Sequence, residues 1–494
     1  MRTLQPFTPS VADAPVWQLA QLIRQKQLSP VEVMDAHLQR IGECNPLVNA
    51  FVCIDAENAR AQAKRAEAIL MAGETEKPLL GLPLSIKSSI DVEGFKCESA
   101  SLLRAGTVAA HDAPVVARLK QAGAILIGNT NTPELLIAYH TENLLMGRTN
   151  NPWDLMRTVG GSSGGEAAAI SCGMSAGGFG SDGGGSIRVP AHFCGICGLK
   201  PTPGIIPAVG HYPPCAGPFS LLGVIGPMAR TVEDLRLLME AARGYDKGDP
   251  VSIPVAPLTA YDSRLDKMRI GFYEDDEFNN PTPETRAAVR TAAKSLEQRG
   301  FAVEPFRPEG LDRARQLWFT LFVEAIAMVL KSAVAGRERE VTDNTKEFLE
   351  LAAAQPPLTG ERLLNTLIER DTLRAGLLAE MERVPILIAP VCSIPAFPHE
   401  DAGWGLKHAA DYVQTMSYCQ HYSLLGNPAA VVPIAQSPEG MPIGVQVVGR
   451  PFREDEVLSV AGMLDEKFGW KQPPLIDLLA PAQIPAVKVS FHRS

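Results

Sequence analysis

Two serines, Ser162 and Ser186, stand 24 positions apart in one glycine-dense stretch, residues 160–202, and a lysine, Lys87, ends an apolar run upstream. Glycine at this density costs backbone entropy on folding, so it belongs where a main chain must come very close to something else, such as a reacting carbonyl. Ser186 follows Asp182-Gly183-Gly184-Gly185. Three successive glycines let consecutive backbone N–H groups point into one concavity, the kind of nest that holds an oxyanion. A hydroxyl at the end of such a nest can attack a carbonyl whose oxygen then moves into it. The plainer reading is a flexible loop ending in a surface serine. Ser163, followed three residues on by Glu166 and then Ala-Ala-Ala-Ile, carries the signature of a capping box at a helix start. Its neighbour Ser162 lies outside that helix and keeps its hydroxyl free, although a turn serine needs no chemistry.

A serine nucleophile needs a base. None of the nine histidines falls in a recognisable triad context. Lys87 is the better candidate. Leu82, Leu84 and Ile86 share one face of a predicted strand, and Pro83, Ser85 and Lys87 share the other. A lysine at the end of such a half-buried strand can lose its proton. Lowering its pKa from ~10.4 to ~7 corresponds to about 4–5 kcal/mol of differential destabilisation of the charged form. A solvated side chain is the ordinary fate of a lysine at a strand end; the pair of serines singles this one out.

These residues need a scaffold. Apolar runs at 82–86, 124–128, 222–225, 268–273, 301–303, 385–389, 429–434 and 443–448 predict strands, many separated by helical periods. Helices are expected near 12–26, 30–42 and 56–72, the second opening on Ser29-Pro30. A strand–helix–strand unit over 268–306 has Thr282 as cap, Pro283 just inside the helix start and Gly300 past its end. Strands alternating with helices imply an α/β layer fold. The chain divides into an N-terminal helical segment (1–74), a core half with the glycine stretch (75–248) and a second half of the same fold (249–494). The proline-rich 249–266 is the seam, and 309–382 reads as an almost wholly helical cover. Within it, 317–330 is apolar nearly all round. That predicts a buried core helix, a wall of an acyl or aryl channel, or a patch for a membrane or partner.

Composition narrows the function classes. A chain of 494 residues with 46% hydrophobic and 20% charged residues fits an ordinary soluble globular protein. A net charge of −9 argues against a general nucleic-acid or anionic-membrane binder. The N-terminus has no apolar stretch resembling a signal peptide, and 317–330, interrupted by Glu324, is too short to span a bilayer, so no transmembrane segment is expected. Nine scattered cysteines read as reduced thiols of a cytoplasmic protein. Cys194 and Cys197 form a C-x2-C without a second pair at zinc spacing, so no metal is expected.

The residues support a resemblance. The chain resembles the amidase signature family through GGSSGGEAAA, GSDGGGSIRVPAHFCGICGLKPT, the lysine strand GLPLSIK, the bridging segments GNTNTPEL and GRTNNPWD, VIGPMARTVEDL and the C-terminal GNPAAVVPIAQSPEGMPIGVQVVGRPFREDEVL. It covers roughly 75–460 and is nearest to the fatty acid amide hydrolase branch through GSDGGGSIR, FCGICGLKPT and IGFYEDD. The resemblance implies the family fold, a central twisted mixed sheet covered on both faces by helices. It also implies a Ser-cisSer-Lys triad: Ser186 the acyl nucleophile, Ser162 the bridging serine, Lys87 the buried neutral base. The oxyanion donors would be the N–H groups of Gly183, Gly184, Gly185 and Ser186, with Asp182 and Arg188 holding the loop. Two positions depart from the family pattern. Ser88-Ser89 stand where Asp-Asn is frequent, and Asn129 where many members have lysine.

The implied activity is hydrolysis of a linear carboxylic amide through an acyl-enzyme, without metal or organic cofactor, on a small-molecule substrate. No nucleic-acid partner is expected, and a homodimer is compatible with the chain. Two weaker patterns compete. Gly161-Ser162-Ser163-Gly164-Gly165 matches the G-x-S-x-G elbow, but NPWDLMRTV before it makes a poor buried strand. Gly178, Gly180 and Gly183 fit G-x-G-x-x-G without the flanking strand and helix that would give it meaning. The rival within the family is the amidase-like glutaminase of the tRNA-dependent glutamyl-tRNA amidotransferase, which works in a complex. Here KPT continues as PGIIPAVGHYPPCAGPFSLLG, which favours a stand-alone hydrolase. Selectivity is expected from 211–222 and the helical cover, for a moderately hydrophobic acyl or aryl amide.

Overall fold

The computed structural model describes residues 10–73, 76–258, 268–399, 406 and 408–479. Thirteen strands form among the described residues: β1 (Phe51–Ile54), β2 (Pro83–Lys87), β3 (Ile125–Thr130), β4 (Asn150–Asn151), β5 (Asp154–Thr158), β6 (Gly177–Asp182), β7 (Cys197–Lys200), β8 (Val224–Ala229), β9 (Arg269–Phe272), β10 (Ala302–Pro305), β11 (Ile386–Pro390), β12 (Ala429–Gln436) and β13 (Pro442–Val448). Eleven make one mixed sheet, β1-β3-β2-β6-β8-β7-β12-β13-β11-β9-β10, and β4 and β5 pair separately. Strand β2 runs parallel to both β3 and β6, and β9 runs parallel to β10 and β11. Antiparallel pairing of β7 with β12 joins strands from before and after the proline-rich segment in one sheet. Residues 259–266 of that segment lie outside the described residues. Helices flank the sheet, giving the α/β layer architecture expected from the alternating pattern.

All eight strands predicted from apolar runs form, with ends shifted by a few residues. The predicted helix over 12–26 breaks at Pro15 into a short turn, Val11–Asp13, and a helix, Val16–Arg24. The next helix, Pro30–Val48, opens with a complete Ser29/Glu32 capping box and ends at Asn49 in the left-handed region. In the unit around β9 and β10, the helix Pro283–Glu297 is capped by the Thr282 side chain.

The apolar run 317–330 lies in a continuous helical stretch, Leu311–Val334, with a π-turn at Thr320–Glu324. By length and composition alone it is long enough to cross a membrane, but half of its apolar window is buried inside the fold. Trp318, Leu321 and Leu330 pack into a second apolar cluster with Tyr418, Tyr422 and Leu425, whereas Met328 and Val329 face outward.

Candidate active site

Strands β2 and β6 are adjacent and parallel, so Lys87 and Asp182 emerge together at their carboxyl ends, where ligands bind in α/β sheets. Every residue of β2 is buried, so the expected half-buried strand is buried on both faces. Lys87 Nζ lies 2.6 Å from Ser162 Oγ and 3.0 Å from Ser181 Oγ. Burial drives its pKa down to about 7, against the opposing pull of Asp182, Glu166 and Cys215. No carboxylate stands directly after Lys87: Ser88 and Ser89 are both buried, and Asn129 donates its amide to the Lys96 carbonyl at 2.9 Å.

Ser162 follows a cis peptide bond from Gly161, and its carbonyl accepts from Thr132 Oγ1 at 2.6 Å. The capping box expected at Ser163 does not form. Ser163 is the residue before the helix Gly164–Ser171, but its side chain makes no cap bond. Its Oγ lies 3.3 Å from both the N–H and the carbonyl of Ser181. Glu166 is drawn elsewhere, accepting from Ser85 Oγ and, at 2.7 Å, from Thr130 Oγ1. Burial raises its carboxyl to about 7, although these hydroxyls and Lys87 oppose the shift. Glu166 thus laces β2, β3 and the helix together beside Lys87.

Ser186 sits just before the helix Arg188–Cys194, and its carbonyl accepts from the Ser163 N–H at 3.0 Å, coupling the two serine loops. Between β6 and Ser186 the chain is braced from several directions. Asp182 and Arg188 form an ion pair at 2.9 Å with both side chains fully buried. Burial alone would raise the Asp182 carboxyl. The Arg188 guanidinium, with Lys200 and the Gly185 N–H, outweighs that and holds it well below the usual carboxylate range. Arg188 reaches further, to the Cys419 carbonyl at 2.9 Å and Ser423 Oγ at 2.7 Å.

The expected donor set needs one correction. The Gly185 N–H donates to Asp182 Oδ1 at 2.7 Å, which removes it from any oxyanion group. Two carbonyls of the loop are fixed by aromatic side chains, one from the apolar run 317–330 and one from outside every predicted strand and helix. Trp318 Nε1 donates to the Gly183 carbonyl and Tyr139 Oη to the Gly184 carbonyl, each at 2.8 Å. Because a trans peptide is planar, holding the Gly183 carbonyl turns the Gly184 N–H the opposite way. A buried tryptophan N–H needs a partner; that was the available signal for Trp318. Tyr139 and Thr132 carry no local signature.

Ser162, Ser181 and Ser186 line one pocket with Leu135, Ile137, His211, Pro213, Cys215, Phe219, Phe322 and Ile326. Its walls therefore come from both elements expected to govern selectivity, the 211–222 loop and the helical cover. Phe219 meets Phe322 edge-on at 5.5 Å between ring centroids, and Phe322 stacks on Trp318 at 4.6 Å. A more open groove lined by Arg313, Arg362 and Glu369 contains none of the expected site residues.

The competing motifs lose their context. Gly178 and Gly180 lie inside β6 and not in a strand-to-helix loop, so the dinucleotide pattern is excluded. The strand before Ser163 is β5, which belongs to the small separate pair, so no nucleophile elbow is built. Cys194 and Cys197 turn to different carbonyls, those of Val159 and Arg230.

The amidase family pattern matches residues 32–458. The chain belongs to the amidase family. This amidase is 34% identical over 476 residues to a glutamyl-tRNA(Gln) amidotransferase subunit from Roseiflexus sp. (strain RS-1), covering 90% of this chain and 94% of the relative. It is 33% identical over 463 residues to an indoleacetamide hydrolase from Bradyrhizobium diazoefficiens, covering 92% and 87%. Among solved structures, a fatty acid amide hydrolase superposes with a TM-score of 0.83 at 24% identity, covering 96% of this chain and 87% of the other. That identity shows a shared fold and not a shared branch. The expected fatty acid amide hydrolase branch is not singled out: that enzyme is one structural neighbour among several, and relatives at higher identity are amidotransferase subunits and other amide hydrolases. This is an amidase-family enzyme acting on C–N bonds.

Proposed function

We propose that this amidase hydrolyses a moderately hydrophobic carboxylic amide through an acyl-enzyme on Ser186, with Ser162 and Lys87 as the proton relay. The observation that carries the reading is the fully buried Lys87 amine, 2.6 Å from Ser162 Oγ and held near pKa 7. At neutral pH a large fraction of that amine is uncharged and able to accept a proton.

Ser186 Oγ attacks the amide carbon while its proton passes to Ser162 Oγ, whose own proton passes to Lys87 Nζ. The carbonyl oxygen, now negative, is met by the N–H groups of Gly183, Gly184 and Ser186. One such donor is typically worth ~3 kcal/mol in the transition state. The relay then runs backwards: the proton returns through Ser162 to the nitrogen, the C–N bond breaks, and the amine leaves neutral. Water repeats the first step on the acyl-enzyme, releasing the acid and restoring Ser186. The route asks for no cofactor, and nine free thiols suit a reducing, cytoplasmic setting.

A screen of aryl, acyl and small polar amides, with mass spectrometry of the peptide labelled by a fluorophosphonate, tests nucleophile and substrate together. Label on Ser186 and preference for aryl or medium-chain amides is expected. Label elsewhere, or preference for acetamide, would refute the reading. A second reading, a glutaminase working within a tRNA-dependent amidotransferase complex, draws on the 34% identity to a component of such an enzyme. The apolar pocket walls, Leu135, Ile137, Phe219 and Phe322, offer little to a glutamine side chain. Glutamine-dependent turnover or co-purification with a second protein chain would reverse the preference.

A further inference from the structure

His211 lies in the catalytic pocket and has no part in the acyl-transfer route. Its position is fixed from both sides. The Gly210 carbonyl accepts from the Asp91 N–H at 2.8 Å, and the Tyr212 N–H donates to the Ser89 carbonyl at 2.8 Å. The His211 backbone itself bridges Ile90, so the main chain that carries the ring is clamped to the segment that immediately follows Lys87.

The ring's protonation pattern follows from its contacts. Nδ1 lies 2.7 Å from the Pro213 carbonyl, which can only accept, so Nδ1 carries the hydrogen. Burial, with the nearby Lys87 amine, depresses the ring's pKa to about 4, so the imidazole is neutral at physiological pH. Nε2 is then a bare lone pair. It is buried and has no hydrogen-bond partner among the described residues. The residue is only 7% exposed and lines the same pocket as Ser162 and Ser186, among walls that are chiefly apolar.

A buried acceptor without a partner carries its full desolvation penalty. A ligand that brings a donor removes it, and a ligand of the same shape without one does not. We propose that His211 determines specificity: Nε2 accepts a hydrogen bond from a neutral N–H or O–H on the otherwise apolar portion of the substrate. The inference rests on the amide-hydrolase reading above and narrows it to amides such as heteroaryl N–H or phenolic compounds. Ammonium groups are disfavoured by the apolar walls and the lysine nearby. Sites built to receive a donor discriminate strongly against analogues that lack it.

Two matched pairs test the idea: indole-3-acetamide against benzothiophene-3-acetamide, and 4-hydroxyphenylacetamide against 4-fluorophenylacetamide. In the wild-type enzyme, kcat/KM should favour the donor-bearing member of at least one pair by about tenfold or more. In folded His211→Leu that ratio should fall to about one. Should His211→Leu not fold, His211→Phe serves the same purpose, and the wild-type ratios stand on their own. Ratios near one for both pairs in the wild type, with amides still turned over, would overturn the role of His211 and leave the hydrolase reading intact. A ratio that survives in the folded variant would do the same. Failure to hydrolyse any amide would remove the underlying reading, and this inference with it.

Discussion

Replacing Lys87 with methionine separates its chemistry from its packing, because the side chain keeps its length and loses its charge. The folded protein releases the Lys87 proton near pH 7, whereas an unfolded chain holds it to ~10.4. Between these values the unfolded state binds more protons than the folded one. Raising the pH through this window therefore favours folding. Each pH unit is worth about 1.4 kcal/mol, so Lys87 alone should add about 3 kcal/mol of stability between pH 7 and 9.5. Below pH 7 both states hold the proton and the contribution is flat. Lys87→Met should lose this slope, whatever constant offset follows from removing the contacts to Ser162 and Ser181.

The assay is thermal or denaturant unfolding of both proteins from pH 6 to 9.5, read as the difference between them. Other buried groups titrate here, including Lys200, whose pKa burial also lowers to about 7, but they are common to both proteins and cancel. In parallel, kcat/KM of the wild type should climb with pH through about 7 and level off above it, as the neutral amine becomes the dominant form. Parallel stability curves for wild type and Lys87→Met would refute the buried neutral lysine. A pH-independent kcat/KM between 6 and 8 would refute its role as base. Lys200→Met identifies which lysine sets the profile, since only Lys87 contacts the serines.

Ser186→Ala and Ser162→Ala should each lower amide turnover by more than about a thousandfold with little change in melting temperature, and Ser186→Ala should also abolish fluorophosphonate labelling. Asp182→Asn leaves the fully buried Arg188 uncompensated, so unfolding free energy should fall by about 3–5 kcal/mol, measured in denaturant at neutral pH. Trp318→Phe removes the N–H that holds the Gly183 carbonyl while keeping most of the ring packing. It should lower kcat by about tenfold, less than outright loss of an oxyanion donor, with a smaller change in KM. Unchanged kcat would mean that the indole N–H has no influence on the loop.

Local pattern makes much of this fold legible in the sequence. Strands such as Pro442–Val448 and Ala429–Gln436 are apolar and β-branched, which a short window detects. The residues between 160 and 202 were visible through glycine density and hydroxyl spacing. Strand β6 was not visible as a strand, because Gly-Gly-Phe-Gly-Ser-Asp carries almost no side chain to form an alternating pattern. The Ser163/Glu166 box failed for the complementary reason. A local rule assumed that Glu166 was free to turn back, whereas Ser85 and Thr130, on strands brought in from elsewhere, claim its carboxylate. Trp318 and Tyr139 brace the loop from 135 and 45 residues away, distances at which sequence spacing carries no information.

The glycines themselves turn out to serve a different neighbour from the one their density first implies. A side chain at Gly178 would overlap the Glu166 carboxylate and the Ser85 carbonyl, which are part of the lacing beside Lys87. At Gly184 an added carbon would stand 2.5 Å from the Trp318 ring, the same ring that holds the Gly183 carbonyl. The close approach is thus first to the protein's own bracing groups and only then to a substrate. This explains how a loop so rich in glycine can hold backbone donors in place. Its freedom is removed by Trp318, Tyr139, Phe219, Phe322 and Cys419, which pack where side chains would otherwise be, and by the Asp182–Arg188 pair, which ties down the loop's two ends. Gly184→Ala should therefore act like a stronger form of Trp318→Phe, displacing the indole and the peptide together. A Gly184→Ala enzyme with normal kcat would show that the bracing does not govern the chemistry.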